Sequence, residues 1–211
     1  MNAGRLAPWY RWIEYAAFGR ALERARYVFL DRLRGARRVL VFGEGDGRML
    51  ARLLIAAPLA RFDVIESSGE MIALARRRIG ASADRVRFHQ CDALCGVWPS
   101  GSYDVIVTHF FLDCFRDIEA RYLISAAVDR MPPDALWLVT DFAIPPRGWR
   151  RWHAAIWIGI MYRFFRVATG LRNQSLPEIY RLLTEAGLSR LAVKPARAGL
   201  IQSEIWTKPA G

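Results

Sequence analysis

The sequence is poor in the residues that form disulfide frameworks and structural metal sites. It has three cysteines and three histidines in 211 residues: Cys91, Cys95, Cys114, His89, His109 and His153. An odd cysteine count without paired C-x-x-C motifs argues against a disulfide framework and against a structural zinc site. The histidines lie far apart and show no H-x-x-x-H spacing, so we expect no bound metal.

Long uninterrupted apolar runs are also missing. A membrane-spanning helix needs roughly 18 to 20 apolar residues, but the longest candidate, residues 154–162, is followed by Arg163 and Arg166. Near the start of the chain, Arg5 and Arg11 interrupt the apolar residues, which is not typical of a secretory signal. We expect a cytoplasmic protein of one domain, because 211 residues can bury a substantial core.

Lysine is nearly absent, although the chain is strongly basic. Of 31 basic residues only Lys194 and Lys208 are lysines, which leaves 29 arginines, and the net charge is +11. Such a charge favours nucleic acid or an anionic membrane surface as a partner. The basic residues are nevertheless spread along the chain, and solvated helix faces are the commoner explanation. Nucleic-acid binding is therefore unlikely but not excluded by the charge alone.

The most informative motif is a glycine turn. An apolar run ends at Gly43, Gly45 and Gly47, and a helical pattern begins directly afterwards. A second apolar run ends in Glu66, nineteen residues after Gly47. This pattern predicts a strand, a turn, a helix and a second strand that ends in a carboxylate. Such a unit binds ribose-containing ligands, because glycines let the ligand approach the backbone and the acid accepts hydrogen bonds from ribose hydroxyls.

Strand and helix patterns alternate along the rest of the chain, after one or two amphipathic helices over residues 9–34. Predicted strands cover residues 38–42, 62–66, 86–89, 103–108, 136–142, 189–194 and 201–207, and predicted helices cover 48–57, 69–79, 118–131 and 176–186. This alternation indicates an α/β protein with a parallel sheet covered by helices on both faces. The last two strands should pair antiparallel, because the six residues between them cannot form a helical crossover.

Four motifs together resemble the class I S-adenosylmethionine-dependent methyltransferases. They are Gly43-x-Gly45-x-Gly47, the run Val-Ile-Glu-Ser-Ser-Gly-Glu-Met at 64–71, Phe-His-Gln-Cys-Asp-Ala at 88–93, and Tyr-Asp-Val-Ile-Val-Thr-His at 103–109. The resemblance covers roughly residues 37–207. It implies a Rossmann-like three-layer sandwich whose seven-stranded, mostly parallel sheet ends in an antiparallel C-terminal hairpin. One domain would span residues 1–211, with a helical lid at 1–35 and an inserted aromatic substrate-side helix at 145–175.

The same resemblance implies the cofactor, S-adenosyl-L-methionine, with S-adenosyl-L-homocysteine as product. Glu66 would accept from the ribose hydroxyls, Asp92 would accept from the adenine amino group, and the cofactor carboxylate would lie near the N-terminus of the helix after the turn. The full set of implied cofactor contacts is Gly43, Glu44, Gly45, Glu66, Ser67, Met71, Asp92, Ala93, Leu94, Thr108 and His109.

One position departs from the family pattern. The family usually has an acid two residues before the first glycine, where it helps to hold the methionine ammonium, and this chain has Val41 there. Glu44 or Asp46, inside the turn, could replace that acid, but each could equally be an exposed turn residue. Asp92 likewise has an alternative role as a helix N-cap, and Met71 an alternative role in the core.

The glycine spacing of the turn also argues against other cofactors. A nicotinamide enzyme should show G-x-G-x-x-G, whereas this turn is G-x-G-x-G. The turn resembles that of the spermidine-synthase group as well, but a single Asp113 among aromatics does not suit a polyamine pocket. Candidate catalytic bases near the ends of the fourth and fifth strands are His109, Asp113 and Asp141, with His109 the first choice.

An aromatic segment at residues 149–166 suggests the acceptor. With the aromatic N-terminal segment it could cover an apolar molecule, a pattern similar to the ubiquinone and menaquinone C-methyltransferases. The segment could instead pack on the sheet or a homodimer partner, or contact a membrane peripherally. We therefore expect methyl transfer to a small, apolar or aromatic molecule. The alternatives are an RNA methyltransferase, although the Asn/Asp-Pro-Pro-aromatic motif is missing, and a non-catalytic scaffold with the same fold.

Overall fold

The computed structural model describes residues 20–143 and 177–210. Most of the predicted N-terminal lid and all of the aromatic segment at 149–166 lie outside the described residues. The expectations for the lid at 1–35 and the inserted helix at 145–175 therefore remain predictions, apart from residues 20–35.

The described residues form seven strands and five α-helices. The strands are β1 Arg38–Phe42, β2 Arg61–Glu66, β3 Val86–Gln90, β4 Val105–His109, β5 Leu136–Phe142, β6 Ser189–Ala196 and β7 Ile201–Thr207. The helices are α1 Ala21–Arg26, α2 Arg48–Ala56, α3 Gly69–Ile79, α4 Asp117–Val128 and α5 Ile179–Glu185. Short 3-10 helices include Leu30–Leu33, Gly80–Arg85, Leu112–Cys114 and Arg197–Gly199.

All seven strands of the described residues belong to one sheet with the order β3-β2-β1-β4-β5-β7-β6. Strands β1 to β5 pair in parallel, whereas β7 pairs antiparallel with both β5 and β6. The predicted α/β, Rossmann-like fold with an antiparallel C-terminal hairpin is confirmed. The order reverses direction between β1 and β4, so the carboxyl ends of these two strands border the crevice where open α/β sheets bind ligands.

The sheet has one apolar core on each face. On the face covered by α2 and α3, called here the α2 face, Val39, Val41 and Val107 pack against helical leucines such as Leu50 and Leu53. On the opposite α4 face, the sheet packs against α4 and α5, and the largest fully buried side chains there are Trp137, Trp206 and Tyr103. Near-continuous apolar strands are the expected consequence of burial on both faces.

Helix α1 extends the α2 face over the C-terminal hairpin. The Ser203 hydroxyl donates to the backbone carbonyl of Ala25 at 2.8 Å, and both residues are buried. Leu22 packs with Leu200 and Ile201 in a small separate core. These contacts hold the C-terminal end of α1 beside the carboxyl edge of the sheet.

One local difference from the sequence prediction is the start of β4. The strand begins at Val105 rather than at residue 103. Asp104 accepts hydrogen bonds from the backbone N–H groups of Arg37 and Arg38 at 2.7 and 2.9 Å, which gives it a structural role. Tyr103 points into the α4-face core, where its side chain is completely buried.

Asp63 is the centre of a buried polar network on β2. Its carboxylate accepts from the Tyr103 hydroxyl at 3.0 Å and lies 2.7 Å from His89 Nε2 and 3.5 Å from Arg38 Nη2. The Arg38 guanidinium also lies over the Tyr103 ring, 4.7 Å from its centroid. Burial and the Asp63 charge raise the pKa of Tyr103 to about 12, so the phenol remains a donor at neutral pH.

We expect Asp63→Ala to lower the free energy of unfolding by about 1–3 kcal/mol, because it leaves the buried Tyr103 hydroxyl without its acceptor. Urea unfolding followed by circular dichroism measures the change. The matched control is Asp31→Ala, since Asp31 is exposed and its contact with Arg32 is 3.9 Å long. Equal stability of the two variants would show that the network does not stabilise the sheet.

Candidate functional site

The glycine turn between β1 and α2 has all three glycines in the left-handed region. Their φ angles are +62° at Gly43, +70° at Gly45 and +84° at Gly47. A Cβ on Gly43 would lie 2.6 Å from the Phe111 ring, and one on Gly47 would lie 2.6 Å from Ala75 Cα. A Cβ on Gly45 would meet nothing within 4 Å. Gly43 and Gly47 are therefore needed for packing, whereas Gly45 exposes its backbone at the edge of the sheet.

Glu66 lies at the end of β2 and closes on this turn. Its Oε2 accepts from the Gly45 backbone N–H at 3.1 Å, and its Oε1 accepts from the Ser68 N–H at 2.9 Å. The residue is only 9% exposed. An ionised carboxylate offers about four lone-pair sites, so two bonds leave capacity for two further donors. These two remaining acceptor positions fit the two hydroxyls of a ribose, which would be the donors.

The start of α3 follows Glu66 directly. Ser67 is exposed, and the neighbouring Ser68 is the N-cap, whose Oγ accepts from the Met71 N–H at 3.3 Å. Met71 is half-buried, so it belongs neither to the fully buried core nor to the free surface. Their contacts with an adenosine remain predictions.

The loop after β3 forms a tight turn around Asp92. Asp92 is exposed; its Oδ1 accepts from the Leu94 N–H at 2.9 Å, and its carbonyl accepts from the Gly96 N–H at 2.7 Å. The Trp98 indole donates to the carbonyl of buried Ala93 at 2.8 Å, which holds the loop against the α4-face core. Asp92 thus caps a turn rather than a helix, and its second carboxylate oxygen is the one that could meet an adenine.

Thr108 and His109 point to opposite faces of the sheet, since they are neighbours on β4. The Thr108 hydroxyl accepts from the Trp137 indole at 2.9 Å and is buried on the α4 face. The implied cofactor contact of Thr108 does not agree with this placement, because its hydroxyl is bonded inside the core. Only His109 of the two lines a pocket at the edge of the α2 face.

That pocket brings together residues from α1, the glycine turn, α2 and β4. Its lining consists of Arg26, Val41, Phe42, Gly43, Glu44, Met49, Val107 and His109. Burial, and secondarily the positive charge of Arg26, lowers the pKa of His109 to about 3, so its imidazole is neutral at physiological pH. Among the described residues its buried Nδ1 has no hydrogen-bond partner.

The two acids of the turn have different environments. Asp46 pairs with Arg48 and Arg78 at 3.0 and 2.9 Å. Burial alone would raise its pKa, but these two guanidinium groups lower it below the ordinary value. Glu44 is half-buried, and its Oε1 accepts from the backbone N–H of Leu50 at 2.7 Å. Burial raises the pKa of Glu44 to about 8 in spite of this bond.

The remaining catalytic candidates, Asp113 just after β4 and Asp141 near the end of β5, form a buried acid pair. Asp141 Oδ1 accepts from the Phe111 N–H at 3.0 Å, and Asp113 accepts from the Phe142 N–H. Burial raises the pKa of Asp113 to about 6. Burial and the nearby Asp113 charge raise the pKa of Asp141 well above its ordinary value.

Three site residues were not found from the sequence: Arg26, Trp98 and Phe111. Arg26 reaches the site from α1, whereas Trp98 and Phe111 follow β3 and β4 by a few residues, and none of the three belongs to one of the four motifs. Trp98 and Phe111 pack against Phe42 with ring centroids 4.7 and 5.5 Å away. The only available signal was an aromatic residue shortly after each of two predicted strands.

None of the helices in the described part of the chain has both the length and the hydropathy that crossing a membrane requires. Within residues 20–143 and 177–210, no group of three or more histidine, cysteine, aspartate or glutamate side chains is arranged to hold a metal ion.

The glycine geometry gives a matched pair of substitutions. Gly45→Ala should lower the free energy of unfolding by about 1–2 kcal/mol, the cost of a left-handed alanine. Gly47→Ala should cost about 1–3 kcal/mol more, because the added methyl overlaps the α3 backbone at Ala75. Urea unfolding of both variants gives the difference. A Gly45→Ala loss as large as that of Gly47→Ala would contradict the assignment of their roles.

The buried neutral His109 predicts a pH dependence of stability. Its pKa is about 3 in the folded protein and about 6.5 when unfolded. The unfolded chain therefore binds more protons between these values, and stability falls as the pH drops through this window. From about pH 7 to about pH 5, the wild type should lose about 1–2 kcal/mol more than His109→Gln. Parallel urea titrations check this, and identical losses would show that His109 is charged in the folded state.

Comparison with known proteins shows which proteins this chain is similar to. Residues 39–134 match the methyltransferase domain family. Over 133 residues the chain is 30% identical to demethylmenaquinone methyltransferase of Thermus thermophilus, a match that covers 63% of this chain and 60% of that relative. The chain thus spans less than two thirds of the length of this curated relative.

Solved structures share the fold. The N-methyltransferase NodS from Bradyrhizobium japonicum in complex with S-adenosyl-L-homocysteine aligns with a TM-score of 0.65 at 18% identity, over 90% of this chain and 88% of its own. An O-methyltransferase family 2 protein from Planctomyces limnophilus in complex with apigenin aligns with a TM-score of 0.69 at 17% identity, over 96% and 61%. The matched domain, the curated relative and the strand order all agree with the resemblance to the class I S-adenosylmethionine-dependent methyltransferases.

Proposed function

We propose that the protein transfers a methyl group from S-adenosylmethionine to a small, apolar or aromatic molecule. The observation that carries the proposal is the bond between Glu66 and Gly45 at the carboxyl edge of the sheet, 3.1 Å long. It places an open stretch of backbone beside a carboxylate with spare acceptor capacity. In a methyltransferase-type sheet this combination suits the ribose of the cofactor.

The described residues around the turn would hold the cofactor at two further points. The Asp92 loop, held by Trp98, would contact the adenine, and Ala93 and Leu94 would lie beside its ring. When bound, S-adenosylmethionine supplies a methyl group on a sulfonium with a good leaving group. The protein then has to align the acceptor with that methyl group and to exclude water.

An apolar surface lies next to the acid pair and supports the choice of acceptor. The rings of Phe110 and Phe142, at the ends of β4 and β5, are half-buried, and their centroids are 5.0 Å apart. The curated relative is named for demethylmenaquinone, and one structural neighbour binds apigenin. The aromatic segment at 149–166, outside the described residues, follows Phe142 in the chain and would extend this surface.

Among the three candidate bases, the electrostatics favour Asp113. A general base works best when its pKa lies near the operating pH, and burial raises that of Asp113 to about 6. His109, the first choice from the sequence, has a pKa lowered to about 3 by burial and by Arg26, which makes it a weak proton acceptor. Burial and the nearby Asp113 charge raise the pKa of Asp141 well above its ordinary value, and its Oδ1 already accepts from the Phe111 N–H.

One observation supports the RNA alternative. A groove between α1 and the β6–β7 hairpin is lined by Arg20, Arg24, Lys194 and Arg197. An RNA methyltransferase would bind RNA here with an affinity that falls steeply as salt rises. Neither Glu66 nor any residue of the glycine turn lines this groove, so we favour the small-molecule acceptor. Tight, salt-sensitive RNA binding would reverse this preference.

Glu66→Ala should weaken binding of S-adenosylhomocysteine by about 1.5–3 kcal/mol, because hydrogen bonds to a charged group are lost. Isothermal titration calorimetry measures the affinity. Glu70→Ala is the control, since Glu70 is an exposed acid four residues further along the chain. Unchanged affinity in Glu66→Ala would remove the basis of the cofactor assignment, and a wild type that does not bind would support the non-catalytic scaffold.

A further inference from the structure

The position that usually holds the cofactor ammonium cannot do so in this chain. Val41 is 2% exposed and packs in the apolar core between the sheet and α2. It also lines the pocket that contains His109. The wall of the pocket is therefore apolar where an acid would normally stand, and a ligand ammonium must find its counter-charge elsewhere.

Glu44 provides a carboxylate in the same pocket. Its Oε1 accepts from the N–H of Leu50, the third residue of α2, at 2.7 Å. Its Oε2 has no hydrogen-bond partner among the described residues. The first turn of α2 is thus capped by the protein's own carboxylate. A ligand carboxylate placed at this helix end, as expected from the sequence, would lie against a like charge, whereas an ammonium would lie against an opposite one.

Arg26 supplies the opposite charge in the same pocket. It is the last residue of α1, is half-buried, and lies over the Phe110 ring at 4.9 Å from the centroid. Its positive charge acts on both Glu44 and His109. One guanidinium and one carboxylate in a single pocket are complementary to a zwitterion, and a guanidinium binds a carboxylate through two parallel hydrogen bonds.

His109 is a second, independent sign of a ligand in this pocket. The residue is 9% exposed, and its Nδ1 is buried without a hydrogen-bond partner among the described residues. Buried polar atoms are nearly always hydrogen-bonded in native proteins, so an unpartnered one calls for an explanation such as an absent ligand group. The amino-acid end of the cofactor has both donors and acceptors to offer it.

We propose that Glu44 and Arg26 bind the amino-acid end of the cofactor, Glu44 through the ammonium group and Arg26 through the carboxylate. The assignment rests on the proposed function and moves the acid of the family pattern from position 41 into the glycine turn. Asp46 cannot take this role, because Arg48 and Arg78 already pair with it. The raised pKa of Glu44 agrees with a carboxyl group that becomes fully ionised when a cation binds beside it.

Calorimetric titration with two ligands tests the assignment. S-adenosylhomocysteine carries the amino-acid end, whereas 5′-methylthioadenosine has the adenosine and the sulfur without it. Glu44→Gln and Arg26→Gln should each weaken S-adenosylhomocysteine about 10- to 100-fold, the usual range for a charged hydrogen bond. Both should leave 5′-methylthioadenosine within about twofold of the wild type, because it makes no contact with either residue.

Asp46→Asn is the matched control, since it neutralises the other acid of the same turn, and it should leave the affinity for both ligands unchanged. A third ligand tests the wild type, so this part of the result does not depend on whether the variants fold. Removal of the α-amino group from S-adenosylhomocysteine should weaken binding to the wild type. The loss should equal the loss that Glu44→Gln causes for intact S-adenosylhomocysteine. In Glu44→Gln, removal of that amino group should cost little further affinity.

Different results would overturn different statements. If Glu44→Gln weakened both ligands equally, or neither, the residue would support only the turn and the assignment would be wrong. If Asp46→Asn weakened S-adenosylhomocysteine selectively, the ammonium site would lie at Asp46 instead. A wild type that bound neither ligand would overturn the proposed function, and this assignment with it.

Discussion

The hydrogen bond from Gly45 to the Glu66 carboxylate ties the end of β2 to the turn after β1. Parallel pairing of β1 with both β2 and β4 brings these chain segments to one edge of the sheet. The turn can approach Glu66 because Gly45 accepts a left-handed backbone that other residues avoid. Other parts of the site, from the Asp92 loop to the pocket at His109, are arranged around this connection.

Burial is the second constraint on the site, because it decides which groups carry charge. Several titratable side chains in or next to the pocket are buried. Burial shifts their pKa values in the direction that favours the uncharged form. Burial lowers the pKa of His109 to about 3, raises that of Glu44 to about 8, and raises that of Asp141 well above its ordinary value. Asp46, which has two arginine partners, is the exception. A site of this kind responds strongly to a charged ligand, because the ligand supplies the missing counter-charge.

The sequence was a good guide wherever a local pattern determines the element. Strands β1, β5 and β7 and helix α3 agree with their predicted bounds, because apolar periodicity and glycine or proline stops act over a few residues. The start of β4 was wrong because the side chains of Tyr103 and Asp104 bond to residues about 40 and 66 positions away in the chain. The orientation of the Thr108 side chain likewise depends on a distant residue, because its hydroxyl accepts from the indole of Trp137 on the next strand.

The sequence by itself determined the fold family, the mixed sheet, the glycine turn and Glu66, since these follow from spacing along the chain. Tertiary structure alone decided what each group does. It assigned Gly43 and Gly47 to packing and Gly45 to the open edge, placed Arg26 and Glu44 in one pocket, and lowered the pKa of His109. The physical reason is that close contact, burial and electric charge act through space. The distance between two residues along the chain does not reveal whether they are close in the fold.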